Sequence, residues 1–204
     1  MNALSAALIA LLFAGCAFGP VPKEAPAIYD LGAPRVDAGT QARLRASLLV
    51  HPVAAAAWLE TPAIIYRLNY QDAARQLAYA NSRWAAAPAL LITPRLRGRL
   101  AAVSDGGVLA AADGARADYA LRVELEDFSH VFDAAEASRA VVVARASLID
   151  TAKRTLLAQR SFRVERAAES ANAAGGVRAL AAASDEMNEA IVAWVATSLA
   201  REKR

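Results

Sequence analysis

From Tyr119 to Phe128 the chain alternates, with Tyr119, Leu121, Val123 and Leu125 on one side and Arg122, Glu124 and Glu126 on the other. Strand side chains point to opposite faces in turn, so this pattern predicts a half-buried β-strand. Ala140–Ile149 and Leu156–Val164 have the same β character. The connections between them, Asp133–Ser138 and Asp150–Arg154, are short and polar. Parallel pairing needs a crossover of a dozen residues or more, so these three strands read as an antiparallel meander. A long helix over about Ala173 to Ala200 follows. Val177, Leu180, Ser184, Met187, Ile191 and Trp194 recur at helical spacing and form one apolar stripe, and Gly175-Gly176 marks its start. A sheet followed by an amphipathic helix makes this half of the chain α/β.

The first half is less regular. Ala27–Leu31 reads as a short edge strand ended by Gly32 and Pro34, and Leu44–Val50 as a second strand stopped at His51-Pro52. Ala54–Trp58 is a turn of helix or a loop. Ala63–Leu68, rich in β-branched and aromatic residues, is a clear strand. Asn69–Asp72 looks like a turn, with Arg75–Tyr79 returning as a hairpin partner. A helix through Tyr70–Ala80 is the competing reading on alanine propensity. Asn81 or Ser82 can cap a helix starting near Arg83 and running through Ala102, with Trp84, Leu91, Leu96, Leu100 and Val103 along one stripe. Pro94 should kink or split that helix. Val108–Ala111 is too alanine-rich to assign.

The leader has a different character. Ala3 to Ala14 is apolar apart from Ser5, and it closes on Ala14-Gly15 before Cys16, the only cysteine of the 204 residues. The run is too short to span a bilayer, which takes about 20 residues. Its length and ending are those of a secretory h-region with a cleavage site. Leu12-Phe13-Ala14-Gly15-Cys16 resembles a bacterial lipobox, in which the cysteine is acylated and becomes the first mature residue. Phe13 at −3 and the absence of Lys or Arg ahead of the apolar run depart from that pattern. An ordinary signal peptide with a chance free cysteine is the alternative. A buried N-terminal helix is disfavoured by Gly19, Pro20, Pro22 and Pro26. The expected organisation is a signal peptide at 1–15, a Pro-rich tether at 16–26 and one domain at 27–204.

Composition narrows the function class. The net charge of +3 comes from basic residues interspersed with acidic ones, so the pI of about 9.3 gives no nucleic-acid footprint. A single cysteine leaves no internal disulfide. His51 and His130 lie in separate regions without ligands at metal spacing, and surface or packing roles are expected for both. No G-x-S-x-G, phosphate loop or H-E-x-x-H is present, and no cofactor is implied. Glu124, Glu126 and Asp127 could serve acid–base chemistry. The simpler reading is cross-strand pairing with Arg145 or Arg160. Trp84 and Trp194 are expected in the core. Tyr66, Tyr70 and Tyr79 could form a partner surface, and Trp58 could pack or bind.

The order of these features is informative: lipobox, Pro-rich tether, strand ending in Tyr66-Arg67, Tyr79-x-x-x-Arg83-Trp84-Ala85, Leu125-x-Asp127-Phe128, Arg145-Ala146-x-Leu148-x-Asp150, Phe162 and a final helix through Trp194. It resembles the ABC-transport auxiliary lipoproteins, the group containing the lipoprotein of the paraquat-inducible operon. The resemblance implies a three-layer α/β/α domain with a mixed sheet of about five strands, similar to the N-terminal domain of TolB. It implies no catalytic residues. Its one transferable site is lipid attachment at Cys16, with Arg83 and Trp84 as helix entry and core. Implied partners are the membrane through the lipid anchor, an inner-membrane ABC transporter and a periplasmic MCE-domain protein that moves lipids. A docking role of this kind is compatible with a homo-oligomer. Ala17 after the cysteine, in place of aspartate, implies the periplasmic face of the outer membrane. The expected function is docking of a lipid-transport assembly without catalysis. The alternatives are a carrier that binds lipid or another apolar ligand, and an envelope hydrolase using Glu124, Glu126 and Asp127.

Overall fold

A computed structural model describes residues 25–34 and 43–202. They form an α/β fold around a curled mixed sheet, as expected. Five strands have six residues or more: β4 (Ala63–Leu68), β5 (Leu77–Trp84), β7 (Tyr119–Ala134), β8 (Ala137–Asp150) and β9 (Thr155–Ala167). Four short ones extend the sheet: β1 (Ala27–Tyr29), β2 (Leu48–Val50), β3 (Ala54–Ala55) and β6 (Val108–Ala110). The helices are α1 (Pro88–Ala102) and α2 (Ala173–Glu202).

Strand β7 is the spine. One of its edges takes β8 along almost its whole length, antiparallel, and β9 continues the meander. The other edge takes three parallel partners in succession: β2 at Tyr119–Leu121, β3 at Glu124–Leu125 and β4 at His130–Phe132. Outside β4 lies β5, antiparallel, and outside β5 lies β1, parallel. On the other wing β6 runs parallel to β2.

A β-bulge between Leu125 and Asp127 sets which side chains of β7 face the core. Before it the odd residues Leu121, Val123 and Leu125 are buried, opposite Leu148, Ala146 and Ala144. After it the even residues Phe128, His130 and Phe132 continue the same face, opposite Val142, Ala140 and Ser138. One extra residue reverses the phase, as a bulge must. The core face of the meander receives α2, whose Val177, Leu180, Ser184, Met187 and Ile191 are buried along the expected stripe. Helix α1 lies beside α2, joined by Arg95 to Asp185 at 3.1 Å and Arg99 to Glu189 at 2.5 Å.

Several first-half expectations shift. Asn81, Ser82, Arg83 and Trp84 continue strand β5 rather than opening a helix, and α1 starts at Pro88. Proline at the first helical position loses no hydrogen bond and fixes φ for the helix. Trp84 is in the core as expected, against Phe128 with ring centroids 5.6 Å apart, but from a strand. Pairing with β4 on one side and β1 on the other outweighs the helix preference of the alanines. Pro94 does not split α1. The carbonyl it leaves free belongs to Leu90, which like Pro94 is exposed, so water can satisfy it. Val108–Ala110 proves to be a strand.

Candidate functional site

The most distinctive buried chemistry lies where β4, β5 and β7 meet the start of α2. His130 is fully buried on the core face of β7. Register places it beside Tyr66 of β4, and Tyr79 of β5 reaches it: Tyr79 Oη and His130 Nδ1 share a hydrogen bond of 2.9 Å. Rings of Tyr66 and Tyr79 stand 4.6 Å apart, and Phe132 closes on His130 at 4.5 Å. Above the imidazole sits Gly176, where a β-carbon would come within 2.4 Å of Nδ1. Burial with no carboxylate partner pushes the His130 pKa down to about 4, so the ring is neutral at pH 7. Burial also raises Tyr79 well above the usual phenol range, with Tyr66 adding to it. A neutral imidazole bonded to a protonated phenol is a polar pin, not an acid–base pair poised near neutrality. Tyr66 and Tyr79 are therefore half-buried, with Tyr79 packed against the core, and of the three tyrosines only Tyr70, in the β4–β5 turn, is exposed.

On the opposite face of the sheet charges pair across strands. Arg145 of β8 reaches Glu124 at 2.7 Å and Glu126 at 3.2 Å, which realises the cross-strand pairing and binds both carboxylates to one guanidinium. Arg160 instead lies over the Phe162 ring, 5.1 Å from its centroid. Asp127, turned by the bulge, faces Arg67 of β4 at 3.6 Å, and the same guanidinium lies 5.4 Å from the Trp58 ring. Trp58 thus packs on Arg67 from the 3-10 turn Ala57–Leu59. His51 stays near the surface of the described chain, its pKa lowered by burial and by Arg122. No group of three potential metal ligands occurs among the described residues.

The third feature is the edge at β1. Ile28 is 59% exposed, although it is apolar and lies in a strand. Beside it a groove of about 440 Å³ runs between β1 and the first turns of α2, floored by Tyr29, Leu31, Val177 and Ala181, with Arg178 at the rim. Sequence reading placed an edge strand here but drew no site from it. The signal was an uncharged Ala-Ile-Tyr directly after a Pro-rich stretch. Cys16, the predicted lipid-attachment residue, lies outside the described residues, as does the expected tether up to residue 24. No described helix is long and apolar enough to cross a membrane.

No curated protein matches the chain. Among solved structures it is similar to protein XCC0632 of Xanthomonas campestris, from the family DUF330, at 19% identity and a TM-score of 0.74 over 86% of this chain and 98% of that one. A second, uncharacterized protein matches at 18% identity and a TM-score of 0.65, over 84% and 99% of the two chains. The hypothetical protein CT253 of Chlamydia trachomatis matches at 11% identity and a TM-score of 0.50, over 74% and 96%. At these identities the likeness establishes the fold. Residues 29–192 match the family described as ABC-type transport auxiliary lipoprotein component, a span from β1 into the last turns of α2. The chain therefore belongs to the ABC-type transport auxiliary lipoprotein family.

Proposed function

We propose that this protein is a non-enzymatic, lipid-anchored component of an ABC- and MCE-type lipid-transport system that docks the assembly to the periplasmic face of the outer membrane. The carrying observation is the family match over 29–192 on a chain whose leader ends in Leu-Phe-Ala-Gly-Cys. In this reading residues 1–15 are removed as a signal peptide and Cys16 carries the acyl chains. Residues 17–26 are the tether, and the domain from Ala27 onward meets the MCE-domain protein. One acyl chain holds a protein only reversibly, whereas two or more hold it stably, at about 0.8 kcal/mol per buried methylene. Ala17, in place of aspartate after the cysteine, favours the outer membrane. The pairing of Glu124 and Glu126 with Arg145 on an exposed sheet face supports a non-catalytic role.

Substitution of Cys16→Ser tests the anchor. Acyl labelling and outer-membrane fractionation should both be lost. Unchanged labelling and fractionation in the variant would overturn the reading. A second reading, a carrier for a lipid or other apolar ligand, is favoured by the groove beside β1. Native mass spectrometry of untagged protein from cells separates the two, because a carrier would retain co-purifying lipid.

A further inference from the structure

We propose that the outer edge of β1 is a strand-docking site for an extended segment of a partner protein that carries both apolar and acidic side chains. The backbone supplies the first argument. The Tyr29 carbonyl accepts from Ala85 N–H at 2.6 Å, so Tyr29 turns its polar groups towards β5. Strand groups alternate in direction, which turns the Ile28 N–H and C=O away from the sheet. Among the described residues nothing pairs with that edge.

The other edges are treated differently. Along β9 the side chains Arg160, Arg163, Glu165 and Arg166 interrupt any approaching strand. At β6 the Ala110 N–H donates to Asp113 Oδ2 at 2.7 Å. Charged edges of this kind oppose pairing with foreign strands. Strand β1 is Ala-Ile-Tyr, with no charge, no proline and an exposed isoleucine. Apart from its short length β1 carries none of these protections, and an open strand edge is a template for strand addition.

The surroundings specify the occupant. An added strand sends alternate side chains to the two faces of the sheet. On one face they meet the groove, where Ala85, Ala181 and Gly32 leave room for a large apolar group above Tyr29 and Val177. On the other they meet Ile28 and, in register with it, Arg83. Arg83 is exposed and makes no ion pair among the described residues. Arg178 stands on the groove side, and among the described residues its ion pair is with an exposed Glu169 at 3.2 Å. Asp30 is the one carboxylate among the described residues of the groove wall, and it caps its own turn by accepting from Gly32 N–H at 2.7 Å. An arginine therefore faces each side of the incoming strand, which favours carboxylates in the partner.

Photo-crosslinking in the native cells tests it, with p-benzoylphenylalanine at position 28 of the full chain. The expected adduct is an extended peptide of another protein that carries both apolar and acidic residues, with at least one acidic side chain on each face of the strand. Arg83→Glu with Arg178→Glu should lower its yield about tenfold, the effect of reversing two exposed charge contacts. With the probe at Ala27 instead, Ile28→Pro should cause a similar loss. Proline is tolerated at an edge where the N–H points outward, so the sheet is spared while the docking N–H and the exposed isoleucine side chain are removed. A thermal melt checks that each variant is folded. Adducts to a second copy of this chain, to phospholipid or to nothing would each overturn the proposal. So would a yield indifferent to the charge reversal.

Discussion

Gly176 of α2 lies against the imidazole of His130 in β7, close enough that a β-carbon on the helix would stand 2.4 Å from Nδ1. His130 cannot retreat, because Phe132 packs on one side and Tyr79 is bonded to the same nitrogen. The first turn of α2 therefore sits on the sheet at a distance only glycine permits. Gly176→Ala should lower stability by roughly 1–3 kcal/mol, the usual cost of overpacking. Gly98 in α1 gives the contrast: a β-carbon there meets nothing within 4 Å. Gly98→Ala should raise stability by about 0.5–1 kcal/mol. Urea denaturation midpoints of the two variants check the pair of signs.

The His130 pair makes stability depend on pH. Burial sets the folded-state pKa at about 4, below the ordinary value of 6.5. The unfolded chain thus binds a proton that the folded one rejects. This contribution is fully present above pH 6.5, falls as the pH drops from 6.5 towards 4, and levels off below that. His130→Phe should flatten that stretch of the stability–pH curve. Denaturant midpoints between pH 4 and 7 measure it.

Removing the phenol hydroxyl isolates the polar pin. Tyr79→Phe keeps the ring tilted against Tyr66 but leaves Nδ1 of a buried histidine without its partner. An unsatisfied buried polar group costs about 1–3 kcal/mol. A loss of that size in the calorimetric unfolding profile is expected, with the far-ultraviolet circular dichroism unchanged.

Ion pairs should differ sharply by location. Asp185 is 5% exposed and joins α2 to Arg95 at 3.1 Å and Arg99 at 3.3 Å. Asp185→Ala removes the buried carboxylate that Arg95 and Arg99, one turn apart on α1, share across the helix pair, and should cost roughly 3–5 kcal/mol. Glu124→Gln with Glu126→Gln acts on an exposed pairing to Arg145 and should leave the melting temperature almost unchanged. Parallel thermal melts make the comparison.

The bulge in β7 is a length device rather than a side-chain device. Deleting Glu126 would turn Phe128, His130 and Phe132 out of the core and their neighbours in. That deletion should abolish folding, whereas Glu126→Ala should fold normally. Soluble yield and proton NMR dispersion separate the outcomes.

Legibility in the sequence followed local regularity. The meander and α2 were readable because alternation and the 177–194 stripe each repeat over three or more turns or pleats. The α/β class and the Glu124–Arg145 pairing were readable for the same reason, and the edge strand at Ala27 from the Gly32 and Pro34 that end it. The hairpin return after β4 was readable at Arg75–Tyr79 against a competing helix, but its run through Trp84 was not. Asn81 and Ser82 resemble a helix cap, and only pairing with β4 and β1 keeps residues 81–84 in the strand. The tyrosines around it were equally ambiguous, since a strand's two faces look alike until something covers one.

What the chain alone determined is periodic and local: which segments are strand or helix in its second half, where the polar turns fall, and that a cysteine closes an apolar leader. What only the tertiary structure decided is relational. It seats Gly176 on His130, reverses the phase of β7 at one inserted residue, draws Asp185 between two arginines and leaves Ile28 on an edge that no described strand pairs with. These depend on contacts between residues tens of positions apart, whose partners are fixed by how the sheet curls and where the helices settle on it. A sequence period records the preference of a segment for one face; it carries no record of what arrives to cover that face.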